Sequence, residues 1–343
     1  MTDQADIAII GAGAIGQAFA IDLLQRGFSV PVLVETAAAR AEALRRAAVI
    51  RLSGHMGEAE RPMPRVEAAA VSAAEALVIL VATTVDAHRQ VARDLAGVLT
   101  DDHIVLLANG YVNGSQRFAA SLRAGGCTAS PAVLELSVTP YLVCSPAPGR
   151  VHVTARKRWM ELSSFEPERA ARHHPLIARI VPGVTACDNA LASALNNQNP
   201  IAHVPSHLMN AAVARDCALV EPDATRGGAF YLEDYSSPEV LALRAAADAE
   251  RIAVMHGLGL GDLAIPRAEF SLRSYGPGTR EAVSPRMGRT FARRFVTEDI
   301  PFGLLPIERL GRAAGVETPV ISGMITLIGV LEGRDWRGGE ETP

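Results

Sequence analysis

The sequence predicts an α/β, doubly wound domain of Rossmann type followed by an all-helical domain. Three observations carry this reading. Short apolar runs alternate with helical stretches through the first half of the chain. A glycine loop joins the first apolar run to the first helix. Beyond Asn189 the pattern is helical and rich in alanine and leucine.

The elements follow in order. Residues 7–10, 30–34, 77–81 and 104–107 are apolar throughout, as buried parallel strands are. Residues 15–26 and 86–95 read as the helices between them, and 133–136 and 151–154 as later strands. Pro182 and Gly183 break the pattern, so the first domain is expected to span residues 1–185 and the second 186–343. In the second, residues 189–218, 239–258, 304–314 and 321–331 have helical period. Residues 221–238, rich in Gly, Ser, Pro and Asp, read as a loop, and the tail from Gly333 as frayed.

Composition narrows the function. With 343 residues, two domains are expected. Hydrophobic residues make up 49% and charged residues 20%, an ordinary soluble balance. The longest clean apolar run, residues 76–82, is far short of the roughly 20 residues a membrane helix needs. The first strand begins almost at once, which leaves no room for a secretory signal and points to the cytoplasm. The net charge of −4 and the lack of a basic stripe argue against nucleic acid. Cys127, Cys144, Cys187 and Cys217 are scattered without ligand spacing, which argues against a zinc site or a disulfide framework. Lys157 is the only lysine among 33 basic residues, so chemistry that needs a lysine has one candidate.

The glycine loop reads Gly11-Ala-Gly13-Ala14-Ile15-Gly16 directly after an apolar strand. Gly11 permits the tight turn, Gly13 lets backbone approach a pyrophosphate, and Gly16 lets the helix lie against the strand. The N–H groups of Ala14 and Ile15 open that helix and favour phosphate. Glu35 ends the second strand, where a carboxylate accepts hydrogen bonds from a ribose diol and repels a 2′-phosphate. The expected cofactor is therefore NAD, with NADP kept open by the nearby Arg40. Thr83, Thr84 and His88 follow the third strand, and Asn109 and Gly110 the fourth, at strand ends where open sheets bind ligands. Thr83 and Asn109 are expected beside the cofactor; His88 reads equally as a capping or exposed residue.

Two polar groups stand out in the helical half. Asn199 and His203 are four residues apart, so on a helix they share a face. Arg294, Glu298 and Asp299 precede Pro301 and a helix. Taken singly, the first also reads as an N-cap with a solvated histidine, and the second as a helix cap with a surface ion pair.

Together these features resemble the octopine/nopaline dehydrogenase family of opine dehydrogenases. The resemblance rests on the glycine loop, Asn199-x-x-x-His203, Phe230-Tyr231, Arg294 to Glu298-Asp299-x-Pro301, and the segment ending in Pro319. It differs in having Val204 after the histidine, where much of the family has proline, and in a loose match over residues 135–141. The resemblance implies reductive condensation of an amino acid with a 2-oxo acid, with hydride transfer to an imine. It implies His203 as the proton-handling group and Asp299 as its orienter. Arg294 would bind the oxo-acid carboxylate, with Asn199 and Tyr141 as further substrate contacts, in a cleft beside the nicotinamide.

Three other readings share parts of this pattern. Ketopantoate reductases and related 2-hydroxyacid dehydrogenases combine a similar glycine loop with helices but use a lysine in the helical half, and here that half has none. A non-catalytic NAD-binding sensor would keep the loop without needing His203, Arg294 and Asp299. A metallophore-type synthase would take a larger amine on the same fold. The oligomeric state stays open, a homodimer being compatible with the sequence.

Overall fold

A computed structural model describes residues 6–212, 230–231, 236–277, 286–287 and 294–338. The chain divides into two units, Met1–Ala190 and Leu191–Pro343.

The first unit contains strands β1 (Ile7–Ile10), β2 (Val32–Val34), β3 (Val49–Gly54), β4 (Ala59–Pro62), β5 (Arg65–Glu67) and β6 (Val78–Val81). β7 (Ile104–Leu107), β8 (Ala132–Leu136), β9 (Tyr141–Ala147), β10 (Arg150–Arg156), β11 (Met160–Ser163) and β12 (Val184–Ala186) follow. Its helices are α1 (Ala14–Gln25), α2 (Ala38–Ala47), α3 (His88–Leu95), α4 (Gly114–Ala124) and α5 (Pro167–Ile180). Eight strands form one sheet in the order β12-β11-β8-β7-β6-β1-β2-β5. β1 lies parallel between β2 and β6, and β7 continues the parallel run to β8. β1, β6 and β7 are buried along their whole length, which explains their unbroken apolar sequence. β11 runs antiparallel to β8, and β12 pairs with it where the sequence suggested only a break.

A second, four-stranded sheet in the order β4-β3-β10-β9 was not expected. β10 pairs parallel with β3 and antiparallel with β9. Asp22 of α1 anchors it. This buried carboxylate accepts from the Tyr141 hydroxyl at 2.7 Å, and Arg26 and Arg156 reach the same oxygen at 3.0 and 3.3 Å. Gln17 of α1 adds a bond from the Gly149 N–H at 2.8 Å. These bonds correct the expectation for Tyr141. Its ring is 2% exposed and lies edge-on to Phe19. Burial, with Asp22 alongside, holds its hydroxyl well above the usual phenol range. A hydroxyl committed in this way joins α1 to β9 and leaves the substrate contacts to other residues.

In the second unit, residues 189–218 do not form one helix. α6 (Ala190–Leu195) ends before three polar residues, Asn196, Asn197 and Gln198, and α7 (Asn199–Met209) starts after them. Pro200 sits in the first turn of α7, where its missing N–H costs nothing, and Pro205 sits inside it. α8 (Pro238–Gly257) is capped by Ser237, whose hydroxyl accepts from the Val240 N–H. α9 (Arg267–Tyr275), α10 (Leu305–Ala313) and α11 (Pro319–Glu332) follow. The Glu250 carboxylate accepts from the N–H groups of Val320 and Ile321 and so caps α11 from α8. The strands described in this unit are β13 (Phe230–Tyr231) and β14 (Arg286–Met287), which pair antiparallel. Cys217 and most of the 221–238 stretch lie outside the described residues, as do the side chains of Phe230 and Tyr231. Among the described residues no helix is long and apolar enough to cross a membrane.

Candidate active site

The first unit offers a nucleotide-shaped turn. Gly11 has φ +100°, and a Cβ there would stand 2.9 Å from the Ala82 carbonyl and from Thr83 Cγ2. A Cβ on Gly16 would stand 1.8 Å from the Gly11 oxygen, so α1 can cross the strand end only with glycine there. Gly13 differs, because no atom lies within 4 Å of its Cβ position. Close approach is thus needed at Gly11 and Gly16, while the space at Gly13 is open. Helix α1 starts immediately after, with no side-chain cap and no acid in its first turn. Thr83 Oγ1 is buried at the adjoining strand end without a hydrogen-bond partner among the described residues. An open approach, an uncapped helix N-terminus including Ala14 and Ile15, and an orphaned hydroxyl together fit a pyrophosphate.

Glu35 and Asn109 are both buried. The Glu35 carboxylate accepts from the Ala37 N–H at 3.0 Å, and Arg40 lies 3.6 Å from its other oxygen. His88 is also buried rather than exposed, lying edge-on to Phe118, and desolvation with Arg117 nearby pushes its imidazole down to about 3. Glu135 is engaged by α4: Ser115 donates to it through both its N–H and its hydroxyl, so it caps that helix. Burial lifts this carboxyl to about 7. Lys157 donates to the Thr139 carbonyl at 2.7 Å and is 6% exposed.

The second unit gathers the polar groups of its two marked segments. His203 Nδ1 lies 2.9 Å from Asp299 Oδ2, and Asp299 is fully buried. Phe295 stacks on the imidazole with ring centroids 4.0 Å apart and planes at 23°. Asn199 is one helical turn before His203 on α7. Arg294 Nε lies 2.9 Å from Glu298 Oε2, and Glu298 is 2% exposed, so this is no surface pair.

The backbone around Asp299 explains the placement. Residues 294–297 are helical, and Ile300–Leu304 form a π-helical turn in which the Leu304 N–H donates to the Asp299 carbonyl. Pro301 removes a donor inside this turn, and the wider ring accommodates the loss. Gly303 then allows close contact with α7: a Cβ there would stand 2.3 Å from Pro200 Cγ. The π turn and the first turn of α7 therefore meet beside Asn199.

His203 is almost fully buried, and desolvation holds its imidazole below the usual value near 6.5. Asp299 works against that shift, while the cations of Arg294 and Arg244 add to it. A neutral imidazole oriented through Nδ1 by a buried carboxylate is suited to accept a proton at Nε2. Sequence reasoning missed Phe295 and Arg244. The signal for Arg244 was a cation on the apolar stripe of α8, whose buried residues include Val240, Ala247 and Val254. Phe295 carried no comparable mark.

Comparison with known proteins follows the same division. Residues 7–167 match the family model described as ketopantoate reductase PanE/ApbA. Residues 186–331 match that of the NAD/NADP octopine/nopaline dehydrogenase, alpha-helical domain. An opine dehydrogenase of Arthrobacter sp. (strain 1C) is 28% identical, covering 98% of this chain and 93% of its own. The fold is also that of an octopine dehydrogenase solved with NADH and L-arginine, with a TM-score of 0.70 at 15% identity over 96% of this chain and 90% of that one. A yersinopine dehydrogenase with NADP+ gives 0.69 at 16% identity, over 100% and 94%. With a first unit that matches the ketopantoate reductase model and a second that matches the octopine/nopaline dehydrogenase helical domain, the chain is an NAD(P)-dependent oxidoreductase that resembles the opine dehydrogenases.

Proposed function

We propose that this enzyme condenses an amino acid with a 2-oxo acid and reduces the resulting imine to a secondary-amine dicarboxylate. The observation that carries the reading is the buried His203–Asp299 pair at 2.9 Å, one helical turn from Asn199 and beside Arg294. Bound NADH supplies the hydride that reduces the imine carbon.

The chain's own residues handle the rest. His203, held neutral by burial, accepts a proton from the substrate ammonium at Nε2 and frees the amine to attack the carbonyl. The imidazolium formed is stabilised by Asp299 at Nδ1 and returns the proton to the departing hydroxyl, which leaves as water. Arg294, oriented at Nε by Glu298, binds the oxo-acid carboxylate. Asn199 hydrogen-bonds a substrate oxygen or the cofactor amide. Gly11, Gly13, Ala14, Ile15, Gly16, Thr83 and Asn109 hold the dinucleotide, and Glu35 takes the ribose diol. The Glu35 reading favours NADH; Arg40, 3.6 Å from its carboxylate, leaves NADPH usable.

Pyruvate is the first oxo acid to test, because octopine dehydrogenase has been solved with it, and arginine the first amine for the same reason. The cytoplasm, with its NADH pool, is the compartment that suits the reaction. A ketopantoate reductase-like activity is disfavoured by the site itself: Lys157 is buried on the Thr139 carbonyl, and a His–Asp pair occupies the helical half.

The test is NADH oxidation with pyruvate and a panel of amino acids, with each co-substrate omitted in turn. Consumption that requires both supports the reading. Consumption with the oxo acid alone replaces it with 2-hydroxyacid dehydrogenation, and NADH binding without turnover replaces it with a sensor.

A further inference from the structure

Helix α8 carries two buried guanidiniums, Arg244 and Arg251, seven residues apart and so on one face about 10 Å from each other along the axis. The segment they face has the same spacing. Arg251 donates to the Leu195 carbonyl, where α6 ends, and Arg244 Nε donates at 3.0 Å to the carbonyl of Ala202, seven residues later. Arg251 is neutralised by Asp248, which accepts from it at 2.7 and 2.9 Å. It also reaches the Asn196 side chain and the Ile265 carbonyl, so it ties down the entry to α7.

Arg244 holds the other end, around the catalytic turn. Its Nη2 donates to the Ser206 hydroxyl, which in turn donates to the Ala202 carbonyl at 3.0 Å. Ala202 and Ser206 bracket His203 and Pro205. Pro205 has no N–H, so this turn of α7 lacks one of its own hydrogen bonds. Arg244 supplies donors to the turn from a neighbouring helix. The cation also stands near the imidazole. The other charged groups facing His203 are Asp299 at 2.9 Å and Arg294, itself paired with Glu298; from α11, Glu332 faces His207 instead.

We propose that Arg244 is a positioning residue for the reaction assigned above, fixing from a neighbouring helix the Ala202–Ser206 turn that carries His203. It need not touch substrate. Its fork bridges two groups on either side of the histidine, so lysine cannot reproduce the bridge, although it keeps the charge. A neutral substitute loses both.

The experiment is an NMR titration of the full-length protein with labelled histidine Cε1–H groups, in which His203→Gln assigns the His203 signal. In Arg244→Gln the His203 midpoint is expected to rise, since a neighbouring cation has been removed. Turnover should fall about tenfold with little change in the NADH KM, as for a lost positioning contact. An unchanged midpoint together with turnover within twofold of the parent overturns the proposal. If Arg244→Gln does not fold, Arg244→Lys decides. A midpoint close to the parent's with clearly reduced turnover supports the proposal, and parent-like turnover overturns it. The titration requires no substrate, so it tests Arg244 even if the reaction assignment fails.

Discussion

His203 and Asp299 are 96 residues apart in the chain, and their side chains meet at 2.9 Å with the carboxylate fully buried. Each partner adjoins an unusual feature of its helix: Pro205 lies two residues after His203 in α7, and a π turn starts just after Asp299. Removing either partner should affect chemistry more than binding. His203→Ala is expected to lower kcat by about 10²–10⁴, the usual contribution of a general acid–base group. NADH affinity, measured by fluorescence, should stay near the parent value.

The pH profile has a defined sign. Burial holds the His203 imidazole below 6.5, and Asp299 partly opposes this. The base is lost when His203 is protonated, so kcat/KM should fall on the acid side at a pH below 6.5. Asp299→Asn removes the charge that raises the value. Its acid limb should therefore move to lower pH while the plateau rate drops, and a limb that moves upward contradicts the assignment.

The glycine loop separates a binding role from a folding role. Gly13 has φ −69°, a conformation alanine adopts readily, and open space at its Cβ. Gly13→Ala should fold normally and raise the NADH Kd about tenfold or more, because the methyl occupies the phosphate approach. Gly16→Ala places a carbon 1.8 Å from the Gly11 oxygen and should lower Tm as well. Calorimetry and NADH titration on both variants check the contrast.

Gly303 makes a similar case in the helical unit. An alanine there would put Cβ at 2.3 Å from Pro200 Cγ and 2.8 Å from Pro200 Cβ, against a rigid ring. The expected cost is about 1–3 kcal/mol of stability, as for overpacking generally. Because Pro200 adjoins Asn199 and starts the helix that carries His203, kcat should fall too. Urea denaturation and steady-state kinetics test this.

The parts of the fold that were legible are those with strong local periodicity. β1, the glycine loop and α1 announce themselves within sixteen residues, and Asn199 and His203 fall on one face because their spacing is helical. The four-stranded sheet was not legible. β3 and β4 are partly exposed and carry arginine and glutamate, and β3 finds its parallel partner, β10, about a hundred residues on. Tyr141 looked like a ligand contact because nothing local reveals Asp22 as its partner. The π turn depends on a five-residue hydrogen bond that no spacing rule marks. Long-range packing likewise decides that Phe295 stacks on His203 and that Arg244 reaches Ala202.

Acid sensitivity should trace in part to His88. Its folded-state value is about 3 against an ordinary 6.5, so between those limits the unfolded chain binds a proton that the folded protein does not. Its contribution therefore falls as pH drops below 6.5. In His88→Leu the loss of stability between pH 7 and pH 5, read from urea midpoints, should be smaller than in the parent. An equal loss removes His88 from the account.

The central claim is that one active site joins an amine to an oxo acid before reduction. Supplying ¹⁵N-labelled amino acids, ¹³C-labelled pyruvate and NADH, then reading product masses, tests it most directly. The account predicts a single species that carries both labels, with a mass equal to the two substrates less water plus two hydrogens, and its absence with His203→Ala. Labelled lactate as the product, with nitrogen label only in unreacted amino acid, would contradict it.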